Sequence, residues 1–139
     1  MLLETCAMAD TVTLLPSMDL TDQAAFLHSV LEGSTEYAII AKDLEGCVLA
    51  WNEGARRIYG YDPQDVIGRS AFLLHDPDDV ASGRATEFLA EARDAGKWEG
   101  RIRRVRKDGS KFTAQVTMTL RRDPQGKPLG FTMVSRDLT

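Results

Sequence analysis

Apolar positions recur along the chain in two rhythms, and the rhythm changes where glycine, proline and aspartate gather. Leu20, Ala24, Leu27 and Leu31 stand four, three and four apart, with Val30 alongside. That spacing lays one apolar stripe along a helix. Asp19 precedes it as an N-cap, Asp22 faces the positive end of the helix dipole, and Gly33 closes it. The stripe over 19–33 suits either a helix lying on its own domain or one packed against a second copy of the chain. Residues 1–18 lack the basic start of a secretory signal, and Glu4 interrupts their apolar stretch, so they read as a flexible or docking arm.

A period of two follows. Tyr37–Lys42 and Cys47–Trp51 flank Asp43-Leu-Glu-Gly46, a hairpin signature. Asn52 caps a short helix from Glu53 to Tyr59, which Gly60 ends. Asp62-Pro63 opens another helical turn, and Gly68 punctuates before Ser70-Ala-Phe-Leu-Leu74. Asp76-Pro77-Asp78-Asp79 combines a cap, a proline at the first helical position and two acids in the first turn. The helix it starts is expected over 77–95, with Ala81, Ala85, Phe88, Leu89 and Ala92 inward and Gly83 as a weak point inside it.

Three strands complete the pattern. Trp98–Lys107 and Ser110–Leu120 are joined by Asp108-Gly109, a two-residue hairpin turn. In the second of these, Phe112, Ala114, Val116, Met118 and Leu120 share one face. Asp123-Pro-Gln-Gly126 turns into the last strand, where Leu129, Phe131, Met133 and Ser135 are expected on a common face. Two strands, a helical insert and a three-strand meander predict an α+β fold: a five-stranded antiparallel sheet with short helices on one face, plus the N-terminal amphipathic helix. The domain plan is an arm at 1–18, a helix at 19–33 and a core at 34–139.

Composition narrows the function. The 139 residues fit one domain, and a net charge of −4 is a poor starting point for a nucleic-acid binder, though it leaves room for a local basic face. No apolar run approaches the ~20 residues that span a bilayer, so a cytoplasmic location is expected. Two cysteines, Cys6 and Cys47, are too few for a disulfide framework or thiolate zinc cage. Neither a phosphate-binding Gly-Lys-Ser/Thr loop nor a Gly-x-Ser-x-Gly elbow occurs, and Asp78-Asp79 is explained by capping, so the chain reads as a non-enzyme without a metal.

Arg104 is the position with chemical interest. Trp98, Gly100 and Ile102 share its face by alternation, which points its guanidinium into the space between sheet and helices. A buried guanidinium needs a carboxylate, a phosphate or several acceptors, so Arg104 would anchor a small anionic ligand. In the other reading Val105 marks a bulge, and Arg104 bends out to join Arg101, Arg103, Arg106 and Lys107 as a solvated basic face.

Asp43-Leu-Glu-Gly, Trp51-Asn52-Glu-Gly-Ala55, Tyr59-Gly-Tyr61 and Val66-Ile-Gly68 resemble the first half of a PAS domain. His75-Asp-Pro-Asp-Asp79, Gly96-Lys-Trp98-Glu-Gly100, Arg106-Lys-Asp-Gly109 and the closing Ser135-Arg-Asp-Leu-Thr139 resemble its second half. The likeness runs over about 23–139 in the right order. It implies a sensory or dimerising module of a signal-transduction protein, such as a two-component system, in which a ligand pocket lies between sheet and helices. The candidate pocket residues are Ile40, Ile58, Ala71, Leu74, Phe88, Ile102, Arg104, Ala114, Val116, Met133 and Ser135. Leu20, Ala24, Leu27 and Leu31 are the candidate homodimer seam. Asp137 and Thr139 resemble the junction that leads to an effector, for instance a kinase, cyclase or phosphatase, and the chain reads as part of a longer protein.

The resemblance leaves the cofactor open. Ala71 stands where light-sensing relatives carry an adduct-forming cysteine, and Arg104, Ala114 and Ser135 stand where amides would hold a flavin ring. FAD remains an alternative through Trp98, which resembles a tryptophan of redox-sensing relatives. Haem-binding relatives place an axial histidine in the helix that here spans 77–95, which holds none. His75 reads as a capping or loop residue, and a ligand-free interaction module is the other alternative.

Overall fold

The structure is a computed structural model describing residues 19–139, so the expected arm at 1–18 lies outside the described residues. The chain divides into two compact units, one through Leu31 and one from Glu32 to Thr139. Helix α1 (Leu20–Gly33) begins as expected, with the Asp19 carboxylate accepting the Asp22 N–H at 2.8 Å. Its large apolar side chains, Leu20, Phe26, Leu27, Val30 and Leu31, are exposed.

In the second unit, β1 (Ala38–Asp43) and β2 (Val48–Trp51) form the first hairpin. Short helices α2 (Glu53–Tyr59) and α3 (Pro63–Val66) and a 3₁₀ turn (Ala71–Leu74) follow. After α4 (Pro77–Ala81) and α5 (Arg84–Ala95) come β3 (Lys97–Val105), β4 (Lys111–Arg122) and β5 (Pro128–Asp137). The five strands form one antiparallel sheet in the order β2-β1-β5-β4-β3. The last strand is therefore the central one, closing the gap between the hairpin and the meander with Ile40 opposite Met133 and Met118 opposite Met133 on its other side. Alternation on β4 is complete: Phe112, Ala114, Val116, Met118 and Leu120 are all buried.

Asn52 fixes α2 to the sheet. Its Oδ1 accepts the N–H groups of Ile39 and Ala55, each at 2.9 Å, while its Nδ2 donates to the carbonyls of Ser34 at 3.1 Å and Tyr37 at 3.2 Å. The cap of α2 is thus also the clasp of β1. Gly54 permits that approach, because a Cβ there would stand 1.9 Å from the Tyr37 carbonyl oxygen.

Two expectations are corrected. The helix foreseen over 77–95 is two helices, since Gly83 takes a φ of 85°, a left-handed conformation that ends α4 and starts α5 in a new direction. Ala81 consequently lies exposed at the end of α4 rather than inward. Leu129 is also exposed, although Phe131, Met133 and Ser135 face inward. The β4–β5 register shifts there: Arg121 pairs with Gly130 and Arg122 with Pro128, leaving Leu129 as the extra residue of a bulge.

Candidate functional site

The inward face of the sheet carries two cations. On β1, Ala38, Ile40 and Lys42 alternate inward, which leaves Lys42 only 3% exposed. On β3, the ladder to β4 runs without a break from Lys97 opposite Thr119 to Val105 opposite Lys111. Val105 therefore marks no bulge, Arg104 does not turn out to solvent, and its side chain is 1% exposed. Arg101 and Arg103 take outward positions on that strand.

Neither cation has an oxygen partner among the described residues. Arg104 Nη2 meets the thioether of Met133 at 2.7 Å, and its Nε and Nη1 are buried without a partner. Lys42 Nζ lies 3.8 Å from the sulfur of Met118. Thioethers are weak acceptors, and an uncompensated buried charge is strongly unfavourable. Among the described residues the buried polar or charged side chains are Lys42, Asn52, His75, Arg104 and Ser135, with no carboxylate. Burial, reinforced by the Arg104 charge, lowers the Lys42 amine from 10.5 to about 7.

His75 completes the cluster. Its backbone bridges Arg104 on β3, and its ring stacks on Phe88 at 6.0 Å and 14°, with Trp98 beyond at 4.7 Å from Phe88. Burial, then the charges of Arg104 and Lys42, lower its pKa to about 2, so the ring is neutral, and Nδ1 lacks a partner. The expectation of a capping role holds for its backbone, which closes the 3₁₀ turn on Phe72, but the side chain is buried. Nearby polar groups are already paired: the Tyr59 and Ser135 hydroxyls lie 2.9 Å apart.

The remaining candidate residues lie in the same interior. Ile40, Ile58, Ala71, Leu74, Phe88, Ile102, Ala114, Val116 and Met133 belong to one buried apolar cluster, and Ser135 faces it. Sequence reasoning missed Lys42, Met118 and the inward ring of His75. The alternation of β1 carries the signal for Lys42; nothing local carries one for the ring. A flavin does not fit the positions that would hold its pyrimidine edge. The Arg104 guanidinium only donates, Ala114 offers nothing, and the Ser135 hydroxyl is engaged with Tyr59.

At the ends of β3 and β5 stand the residues expected to form a junction, Asp137 and Thr139. Arg106 donates to the Ile58 carbonyl at 2.7 Å and the Asp137 carboxylate at 2.8 Å, and covers the Phe112 ring at 4.1 Å. Asp137 Oδ1 also accepts the Thr139 N–H at 2.9 Å and its hydroxyl at 2.7 Å. Burial resists ionisation of Asp137, but the bonds from Thr139 and Arg106 outweigh it and hold the carboxyl below its usual range. The end of β5 is thereby tied to the end of α2.

The sequence profile of the PAS fold family matches residues 25–138. Over 107 residues the chain is 36% identical to "Two-component system protein A" of Emericella nidulans, covering 75% of this chain and 15% of that protein. Over 84 residues it is 37% identical to "Phototropin-2" of Oryza sativa subsp. japonica, covering 58% of this chain and 9% of that protein. The chain thus corresponds to a small part of each relative. Among solved structures, a PAS domain from Colwellia psychrerythraea superposes with a TM-score of 0.75 at 28% identity, covering 87% of this chain and 98% of that one. A PAS domain of an HTR-like protein from Haloarcula marismortui, at 24% identity and a TM-score of 0.67 over 86% of this chain and 94% of that one, shares the fold. No helix among the described residues is long and apolar enough to cross a membrane. With the profile covering nearly the whole second unit and the sheet order and helical insert agreeing, the chain belongs to the PAS fold family.

Proposed function

We propose that this PAS domain is the sensory module of a larger cytoplasmic signal-transduction protein, and that it takes a small anionic ligand between sheet and helices, anchored by Arg104. The observation that carries this reading is the Arg104 guanidinium, 1% exposed with two nitrogens unpartnered. A folded core leaves such a group unpaired only at a large penalty, which an anion would relieve. The match to part of a two-component protein and part of a phototropin supports a module that reports to an effector elsewhere in its own protein. Relay runs along β5: Met133 touches Arg104, Ser135 holds Tyr59, and Asp137 closes on Arg106 and Thr139. A ligand that binds one packing of these contacts better than another biases the junction by that difference.

The test is an absorbance spectrum of freshly purified protein, followed by mass spectrometry of whatever denaturation releases. A colourless protein releasing a stoichiometric small anion, with the release lost in Arg104→Ala, is the expected result. Flavin bands in the spectrum would replace this reading with a redox sensor.

A second reading, homodimerisation through α1, is favoured by the exposed Leu20, Leu27 and Leu31, which with Ala24 form the candidate seam. Leu27→Asp is then expected to give a folded monomer by light scattering. A parent chain already monomeric at high concentration would end that reading.

A further inference from the structure

We propose that Lys42, Arg104 and His75 together form a dianion site, whose ligand carries two negative charges on a compact frame: a tetrahedral oxyanion or a short dicarboxylate. This rests on the preceding reading of an anion held by Arg104, and adds a second charged anchor on the same inward face, from β1.

Charge matching sets the ligand's charge. Lys42 on β1 and Arg104 on β3 are both buried, and no carboxylate is buried with them among the described residues. A monoanion on Arg104 would leave Lys42 uncompensated whenever its amine is protonated, whereas a dianion neutralises both. They converge on one pair of side chains: Lys42 meets the sulfur of Met118 and Arg104 that of Met133, Met118 and Met133 stand opposite each other on β4 and β5, and His75 bridges Arg104 through its backbone. His75 enters as a neutral ring, which adds hydrogen bonding through its unpartnered Nδ1 without a third positive charge. The Tyr59 and Ser135 hydroxyls, facing the same interior from α2 and β5, already pair with each other.

The present partners of the cations are of a kind a ligand can displace. Met133 on Arg104 and Met118 on Lys42 are flexible thioethers that give up little when carboxylate or oxyanion oxygens replace them. Because the Lys42 amine loses its proton near neutral pH in the anion-free protein, an arriving dianion draws a proton in with it.

The experiment is calorimetric titration of the full chain with sodium sulfate and sodium succinate, against sodium chloride and sodium acetate at matched ionic strength. Saturable one-to-one binding of at least one dianion is expected, weakened at least about tenfold in Lys42→Met and in Arg104→Met. Repeating it at pH 8 in buffers of different ionisation heat is expected to show uptake of about one proton or less per dianion. That uptake needs no variant and stands if a substituted chain fails to fold. Sulfate alone binding identifies an oxyanion site, and succinate alone a short dicarboxylate site. If acetate or chloride binds as tightly as the dianions, with the affinity lost in Arg104→Met and untouched in Lys42→Met, the dianion site is refuted while the anion at Arg104 stands. If none of the four salts binds, both are refuted.

Discussion

Lys42→Met is expected to stabilise the anion-free protein, and by an amount that depends on pH in a defined direction. The amine falls from 10.5 to about 7 on folding because it is buried beside Arg104. At about 1.4 kcal/mol per pH unit, that difference makes the folded ammonium unfavourable by about 5 kcal/mol. Between pH 7 and 10.5 the unfolded chain holds the proton and the folded chain has released it, so stability rises with pH across that window. Below pH 7 both states are protonated and the full penalty remains. Methionine matches the length of the lysine stem, keeps the contact with Met118 and carries no charge, and replacing a buried ion by an apolar side chain of similar volume often stabilises. The variant is therefore expected to exceed the parent by several kcal/mol at pH 7, with the gain shrinking by about 1.4 kcal/mol per unit to near zero by pH 10. Urea unfolding followed by circular dichroism, in buffers free of multivalent anions, measures the difference at each pH. A variant less stable than the parent at pH 7, or a difference constant with pH, would refute the placement of an uncompensated ammonium in this core.

Three further outcomes follow from the same geometry. Asn52→Ala removes the acceptor of the Ile39 and Ala55 N–H groups and the donor to the Ser34 and Tyr37 carbonyls, so a loss of about 3 kcal/mol in urea unfolding is expected; a loss below about 1 kcal/mol would contradict the clasp. Gly54→Ala puts a Cβ against the carbonyls of Tyr37 and Ser34, backbone that cannot swing aside, and is expected to lose at least about 2 kcal/mol and lower the melting temperature. His75, depressed from 6.5 to about 2 by burial and by Arg104 and Lys42, is neutral when folded, while the unfolded chain takes a proton below its ordinary value. Its contribution is fully present above 6.5 and declines as pH falls, so between pH 6 and 4 the parent is expected to lose about 1.4 kcal/mol per unit more than His75→Phe, which keeps the stack on Phe88.

Local pattern carried the elements but not all of their directions. The Asn52 cap and the β4 alternation are short-range signals that α2 and β4 follow, whereas the turn expected at Asp108-Gly109 alone is wider: β3 ends at Val105, β4 begins at Lys111, and the Arg106 N–H donates to the Ser110 carbonyl between them. The family motifs added the architecture. Gly83 is ambiguous locally, because a glycine inside an amphipathic run can be tolerated or can turn left-handed, and only packing decides. The central place of β5 rests on pairings of residues some ninety positions apart, such as Ile40 with Met133, which no local period encodes. Leu129 slips out of its alternation because the bulge inserts it as an unpaired residue.

At the site, alternation placed Arg104 inward, while the apolar Val105 suggested the opposite; the intact ladder to β4 resolves the two. Lys42 obeys the same alternation two residues after Ile40, yet its charge argues for solvent when read alone. His75 follows a 3₁₀ turn in a run of acids, and its stack on Phe88 arises only when α5 folds over the sheet. Charged residues on inward positions were thus the legible trace of the proposed binding site, and their convergence was the part that needed the fold.

The most direct measurement is nuclear magnetic resonance of the Arg104 side chain during titration with sulfate and with succinate. The Arg104 Nε–H has no partner in the anion-free protein and sits in a buried site, so its resonance is slow to exchange and assignable through Arg104→Lys. The expected result is a saturating shift of that resonance at one equivalent of one of the two dianions, with parallel shifts at Met133 and His75. An Arg104 resonance that stays fixed while the salts are raised to saturation would contradict an anion-sensing interior.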